Sequence, residues 1–227
     1  MNQSADPQVP IKSLILVPAL ITLAITLLRL SGELLNWSSL LFNREPGGGG
    51  ALIGIVWLVP IFGFYFAHKL VNLGIRPGST GRVFGFSFLA LVVCVALFGF
   101  AMSLPAASIG QFAAVATGAA AGILLTCKGW PALTSTLLAY GVAARIPVAL
   151  IMLMAILGDW GTHYDGPPPN LPEMGPFREW FSTGLIPQLT FWLAFTVILG
   201  SILGGLAVAV ANRGRAPEAA SPTQSEP

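Results

Sequence analysis

The chain has 227 residues, of which 55% are apolar and only 9% are Asp, Glu, Lys or Arg, with a formal net charge of +2. That balance excludes a water-soluble globule and a basic nucleic-acid-binding domain, because too little charged surface is present to solvate a fold or to track phosphates. An all-α, polytopic integral membrane bundle is the class that remains.

Charge spacing sets the number of passes. Between Arg82 and Lys128 lie 45 residues without a charged side chain. As one helix they would rise about 67 Å, over twice a hydrocarbon core of about 30 Å, so they form two spans turning near Ser103-Leu104-Pro105. In chain order the predicted spans are 11–31, 50–71, 82–104, 107–127, 130–157 and 185–211. The first is read as a retained helix rather than a signal peptide, since Pro18 interrupts its apolar run and no A-x-A-like site follows. Runs such as Phe88-Leu89-Ala90-Leu91-Val92-Val93 lack the alternation of a transmembrane strand.

Orientation follows from the Lys and Arg of the short loops. With the N-terminus inside, the inner segments hold Lys12, Lys69, Arg76, Arg82, Lys128, Arg213 and Arg215, and the outer loops only Arg44 and Arg178. Both termini are expected in the cytoplasm, in a plasma membrane or bacterial inner membrane. The polar stretches 1–10 and 212–227 are expected to be disordered tails. The Pro- and Gly-rich stretch 158–184 is the one outer loop long enough for a structured cap.

Arg145 is the sharpest anomaly. It falls near the midpoint of the fifth predicted span, where an Arg costs about 2.5–3.5 kcal/mol to insert. Pro147, two residues on, cannot donate to the Ala143 carbonyl, leaving a free acceptor and a site for a kink. One reading is an anion-recognition or gating residue facing a polar cavity, with Tyr140 five residues before it as a further candidate; the other is an Arg that snorkels or is held against backbone carbonyls at a helix contact. No mid-span Asp or Glu is present to form a transport-style ion pair, and His68 is placed at the inner membrane edge beside Lys69, which argues against proton coupling.

Arg29 and Glu33 are four apart near the outer end of the first span, a spacing that allows an ion pair settling the helix end at the interface. Trp37, Trp57, Tyr65, Trp130, Trp160, Trp180 and Trp192 lie mostly near span ends, the ordinary position of membrane anchors. The outer loop opens with Asp159-Trp160-Gly161-Thr162-His163-Tyr164-Asp165, a polar cluster in a charge-poor chain. His163 with Asp159 or Asp165 is an incomplete ligand set for zinc, and no H-E-x-x-H motif occurs, so no metal or cofactor is assigned. Pro167-Pro168-Pro169 enforces an extended segment. Phe177, Trp180 and Phe181 are placed to dip into the membrane surface beside Arg178 and Glu179.

Gly118 and Gly122 in the fourth span and Gly200 and Gly204 in the sixth share the G-x-x-x-G spacing of close helix packing, within the bundle or between two copies. Cys94 and Cys127 are read as packing residues. The expected partners are membrane lipids and a second copy or another membrane protein, not nucleic acid. The leading functional expectation is small-solute transport or sensing through Arg145, Pro147, Tyr140, Asp159, His163 and Asp165. A non-catalytic membrane scaffold or assembly protein and an integral-membrane enzyme using the His163 loop are the alternatives.

Overall fold

The computed structural model describes residues 9–168 and 171–213. Most of the two polar tails, and Pro169 of the proline run, lie outside the described residues. Six apolar helices long enough to cross a membrane form an all-α bundle. They are α1 (Ile11–Leu34), α2 (Leu58–Asn72) with a 3-10 turn before it at Ile55–Trp57, α3 (Thr80–Met102), α4 (Ile109–Gly129), α5 (Pro131–Gly158) and α8 (Phe191–Arg213). Between α5 and α8 the chain forms α6 (Pro176–Glu179), a wide π-helical turn (Trp180–Leu185) and α7 (Ile186–Leu189).

The helices are apolar on the outside, as expected when lipid rather than water is the solvent. α1 shows why. Its lipid side carries Leu16, Val17, Leu20, Ile21, Leu27 and Leu28, while the buried face is Leu14, Pro18, Thr22, Thr26, Arg29, Gly32 and Glu33. That buried stripe advances by three or four residues, the repeat of one helical face. Its hydroxyls are satisfied locally, Thr22 Oγ1 donating to Pro18 O and Thr26 Oγ1 to Thr22 O, both at 2.8 Å. Thr22 Oγ1 also meets Tyr140 Oη of α5 at 2.8 Å.

α8 is the central helix, packed against α2, α3, α4 and α5. Glycines make that centrality possible. A Cβ built on Gly63 of α2 would lie 2.6 Å from Gly200 Cα, and one on Gly204 would lie 2.4 Å from Leu133 Cδ2. Gly118 receives Leu97 of α3, whose Cβ would be 3.2 Å from an added Cβ, and Gly122 receives Ile198 of α8 at 2.9 Å. The four predicted packing glycines are thus occupied by neighbours within the same chain.

α3 and α4 form an antiparallel hairpin whose turn is closed by side chains. Ser108 Oγ accepts from Gln111 N at 3.2 Å, and Gln111 Oε1 accepts from Ala107 N at 2.9 Å, a reciprocal cap of the kind that starts helices. At the end of the bundle nearest the described chain ends the core is apolar, with Phe66, Leu70, Val83, Leu133, Leu137 and Val208 buried together. The opposite end, covered by residues 35–57 and 159–168, is where polar groups gather.

The last predicted span, 185–211, differs in form. Its apolar run is helical from Pro176 to Arg213, 38 residues, which at about 1.5 Å each is far longer than a bilayer core. The run is divided at Thr190, where φ is −117° and ψ −80°. Only α8 crosses the bundle; the stretch before it turns back over α5. Trp180, expected at the membrane surface, instead donates from Nε1 to Ala149 O at 2.7 Å and pins this stretch to α5, while Phe177 and Phe181 remain exposed.

Candidate functional site

Five elements converge on one cavity of about 220 Å³ at the loop-covered end of the bundle. α1 contributes Thr26 and Arg29, the buried polar stripe reaching its last turns. α5 contributes Arg145, and the 159–166 loop contributes His163 and Tyr164. The α7–α8 bend contributes Gln188 and Trp192. Gly54 and Gly166 close the rim; at Gly54 an added Cβ would come within 3.3 Å of Arg29 Nη1, so the bare backbone lets the loop lie on the guanidinium.

Arg145 is 4% exposed. It lies 13 residues before the end of α5, about 20 Å along the helix axis, at a depth the loop side chains reach down to. Its Nη1 donates to Gln188 Oε1 at 3.4 Å, and its guanidinium carbon sits 5.0 Å from the centroid of the Trp192 ring. A cation over an indole face is attracted by the ring quadrupole, and burial strengthens that attraction. Arg145 Nε has no hydrogen-bond partner. Its hydrogen bond goes to the side-chain amide of Gln188 instead of a backbone carbonyl. Trp192, expected as an interfacial anchor, lies inside the bundle beneath this guanidinium because the chain bends at Thr190.

Beside it stands an ionic cluster built from distant parts of the sequence. Arg29 Nε donates to Glu33 Oε1 at 2.9 Å along α1. Glu33 is fully buried, and the 159–166 loop covers it: His163 N donates to Glu33 Oε2 at 2.9 Å, and His163 Nδ1 lies 2.5 Å from Oε1. A carboxylate only accepts, so Nδ1 carries the proton and the imidazole tautomer is set. Arg29 Nη2 donates to Asn43 O at 3.2 Å, and Arg44 donates to Glu33 O, which ties the 35–57 loop to the same point. The pair expected to settle an exposed helix end is thus the anchor for both loops.

Burial holds the His163 imidazole below its ordinary range, with the Glu33 hydrogen bond acting in the opposite sense. Burial likewise pushes the Tyr164 phenol up, consistent with its Oη donating to Thr26 O at 3.3 Å.

The predicted site residues separate into two sets. Arg145 and His163 line the same cavity. Tyr140 does not; it is 2% exposed in the apolar core, with its ring 5.3 Å from Phe62 and 5.4 Å from Phe66. Pro147 lies within the continuous α5 helix, away from the lining. Asp159 adopts φ 47° as the left-handed residue that ends α5. Asp165 organises its own loop, accepting from Gly161 N at 2.8 Å, Thr162 N at 2.7 Å and Thr162 Oγ1 at 2.6 Å. His163 converges with Glu33 rather than with either Asp. Among the described residues no group of three or more His, Cys, Asp and Glu side chains is placed to hold a metal ion.

Arg29, Glu33, Thr26 and Gln188 are the site residues that spacing in the outer loop did not point to. For the first three a signal was present: Thr22, Thr26, Arg29 and Glu33 fall on one face of an otherwise apolar helix, the pattern of a span whose polar stripe faces its neighbours. Gln188 had none beyond being an amide in an uncharged run.

Among apolar side chains such as Ile25, Ile55, Val148 and Met152, the lining carries two guanidiniums, an imidazole, an amide and hydroxyls, and no carboxylate. Such a cavity is suited to an anion, since guanidiniums offer paired donors that match carboxylate and phosphate oxygens. The fold defines a polytopic integral membrane protein, with a cavity lined by Arg29 and Arg145 at one end of its helix bundle. No family model matches the chain, and no curated protein or solved structure matches it either.

Proposed function

We propose that this protein recognises a small anionic solute in the Arg29–Arg145 cavity, as the binding step of transport or sensing. The observation that carries this reading is Arg145: a guanidinium 4% exposed, at mid-helix, lining a cavity without a carboxylate and with its Nε unpartnered. Burying a charge is costly unless it is paired, and the Glu33 carboxylate of the neighbouring cluster is already bound by Arg29 and His163, so Arg145 is arranged for an anion that arrives from outside. The retention of positive loops on the cytoplasmic side would place the cavity mouth on the opposite face. Arg29 and the His163 loop shape the rim, and Gln188 and Trp192 hold the Arg145 guanidinium in place.

The test uses the full chain purified in an uncharged maltoside detergent, with thermal unfolding followed against sodium phosphate, sulfate and acetate at constant ionic strength. A ligand that binds the folded state raises the midpoint in a saturable way. At least one of these anions is expected to do so, and Arg145→Gln to weaken its apparent affinity about tenfold or more, the scale of a lost charge-assisted hydrogen bond. Midpoints that do not respond to any of the three, or that respond identically in Arg145→Gln, overturn the reading.

A further inference from the structure

A second cavity, of about 650 Å³, adjoins the first. It is lined mainly by apolar side chains, with Gln111, Ser182 and Thr183 the polar ones: Phe98 and Met102 come from the end of α3, Phe112 and Val115 from the start of α4, and Ile186 and Phe191 from α7 and the start of α8. Thr183 and Pro168 line both cavities. The partition between them is the bent stretch before α8, and its two edges differ in chemistry. Gln188 and Trp192, four apart, face the cationic cavity, whereas Pro187 and Phe191, also four apart and one helical position round, face the apolar one.

The apolar cavity also reaches the surface of the bundle: Met102 in its wall is 55% exposed. On a membrane helix such surface meets acyl chains. A chamber with two guanidiniums, an adjoining apolar chamber and an exposed apolar wall together describe an occupant with an anionic head and a hydrocarbon tail.

We infer that the two cavities form one composite site for an anionic glycerophospholipid of the surrounding leaflet, with its phosphate at Arg145 and Arg29 and one acyl chain along Phe98, Phe112 and Phe191. This rests on the anion reading above and narrows the anion to a lipid headgroup. Charge complementarity selects the head, because the cationic chamber holds no carboxylate that would pair with the ammonium of a zwitterionic lipid. The apolar chamber falls within the range of ligand pockets, about 300–1,000 Å³, and takes one chain while a second remains in the bilayer.

The experiment compares three probes on the full chain in uncharged detergent: dioleoylphosphatidylglycerol, dioleoylphosphatidylcholine with the same chains, and inorganic phosphate. Phosphatidylglycerol is expected to raise the unfolding midpoint at about tenfold lower concentration than phosphatidylcholine, a ratio within reach of one charge-assisted contact. Val115→Phe fills the apolar chamber from α4, and Ala106→Trp fills it from the α3–α4 turn if the first variant does not fold. Either is expected to remove the phosphatidylglycerol preference while leaving the response to phosphate. Protection by phosphate that depends on Arg145, with phosphatidylglycerol no better than phosphatidylcholine, overturns this inference and leaves the small-anion reading standing. A phosphatidylglycerol preference unchanged in both cavity-filling variants and in Arg145→Gln places the lipid elsewhere and also overturns it. If neither phosphate nor phosphatidylglycerol protects, both readings fall.

Discussion

His163 and Glu33 are 130 positions apart in the chain, and the loop that bears the first closes on the second through two bonds: backbone N–H to Oε2 at 2.9 Å and imidazole Nδ1 to Oε1 at 2.5 Å. Glu33 is also bound to Arg29, so one carboxylate joins α1 to the cap that roofs the cationic cavity. The arrangement places Arg29 at the cavity wall while its charge is balanced from the far side.

Removing that carboxylate's charge is therefore expected to damage the fold at this end. Glu33→Gln should cost about 3–5 kcal/mol, the range for breaking a buried ionic pair by changing one partner. His163→Ala should cost much less in the Glu33→Gln background than in the wild type, because the two residues act as a unit. Unfolding in mixed micelles, followed by helical circular dichroism, measures both. Additive effects would show that the two contacts do not support each other.

The depressed His163 range carries a pH dependence of definite sign. An unfolded His titrates near 6.5, so between that value and the lower folded one the unfolded chain binds more protons. Stability supplied by the neutral imidazole is present in full above about pH 6.5 and is lost as the pH falls towards the folded value. The thermal midpoint of the wild type should drop more steeply from about pH 6.5 downward than that of His163→Gln. Parallel profiles would remove His163 as the source.

Helix glycines separate into those facing protein and those facing lipid. Gly63→Ala drives a methyl to 2.6 Å from Gly200 Cα, backbone against backbone, and α2 and α8 must move apart. Overpacking of this kind costs about 1–3 kcal/mol, or more where backbone is the obstacle. At Gly85 of α3 an added Cβ meets nothing within 4 Å, so Gly85→Ala should be neutral or stabilising by up to about 1 kcal/mol through helix propensity alone. Both are read from unfolding midpoints in detergent, and equal effects would contradict the packing described.

Tyr140 is expected to matter for stability and not for ligand. Tyr140→Phe removes the bond to Thr22 Oγ1 while keeping the ring between Phe62 and Phe66. The cost should be about 1 kcal/mol, an ordinary buried hydrogen bond, with phosphate affinity unchanged. A loss of phosphate affinity comparable to that of Arg145→Gln would put Tyr140 back at the site.

Much of the fold was legible in the chain because a bilayer imposes a severe rule: ionised groups are excluded over about 30 Å, so charge-free intervals mark the spans. The Arg82–Lys128 interval became the α3–α4 hairpin in this way, its turn falling between Met102 and Ile109. The same rule singled out Arg145, whose position in the middle of α5 is visible without coordinates. At the last apolar run it marked the sixth crossing but not where the helix bends, which hydropathy does not encode; the backbone at Thr190 and the Trp180 bond to Ala149 O set that point.

The candidate site was legible only in part. Composition and spacing by themselves determined that this is a helical membrane bundle, that an Arg lies deep within it, and that the 159–165 loop concentrates polar groups. Which of those groups meet was decided by tertiary structure alone. His163 had two carboxylates within four residues and bonds to neither, because Asp165 is consumed by its own loop's N–H groups and Asp159 ends a helix in the left-handed conformation. Its partner, Glu33, lies on another helix. Hydropathy is a property of residues taken one by one, and the insertion cost it measures says where a charge is buried; the pairing of a buried charge depends on which faces the helices turn towards one another, and that is settled only when they pack.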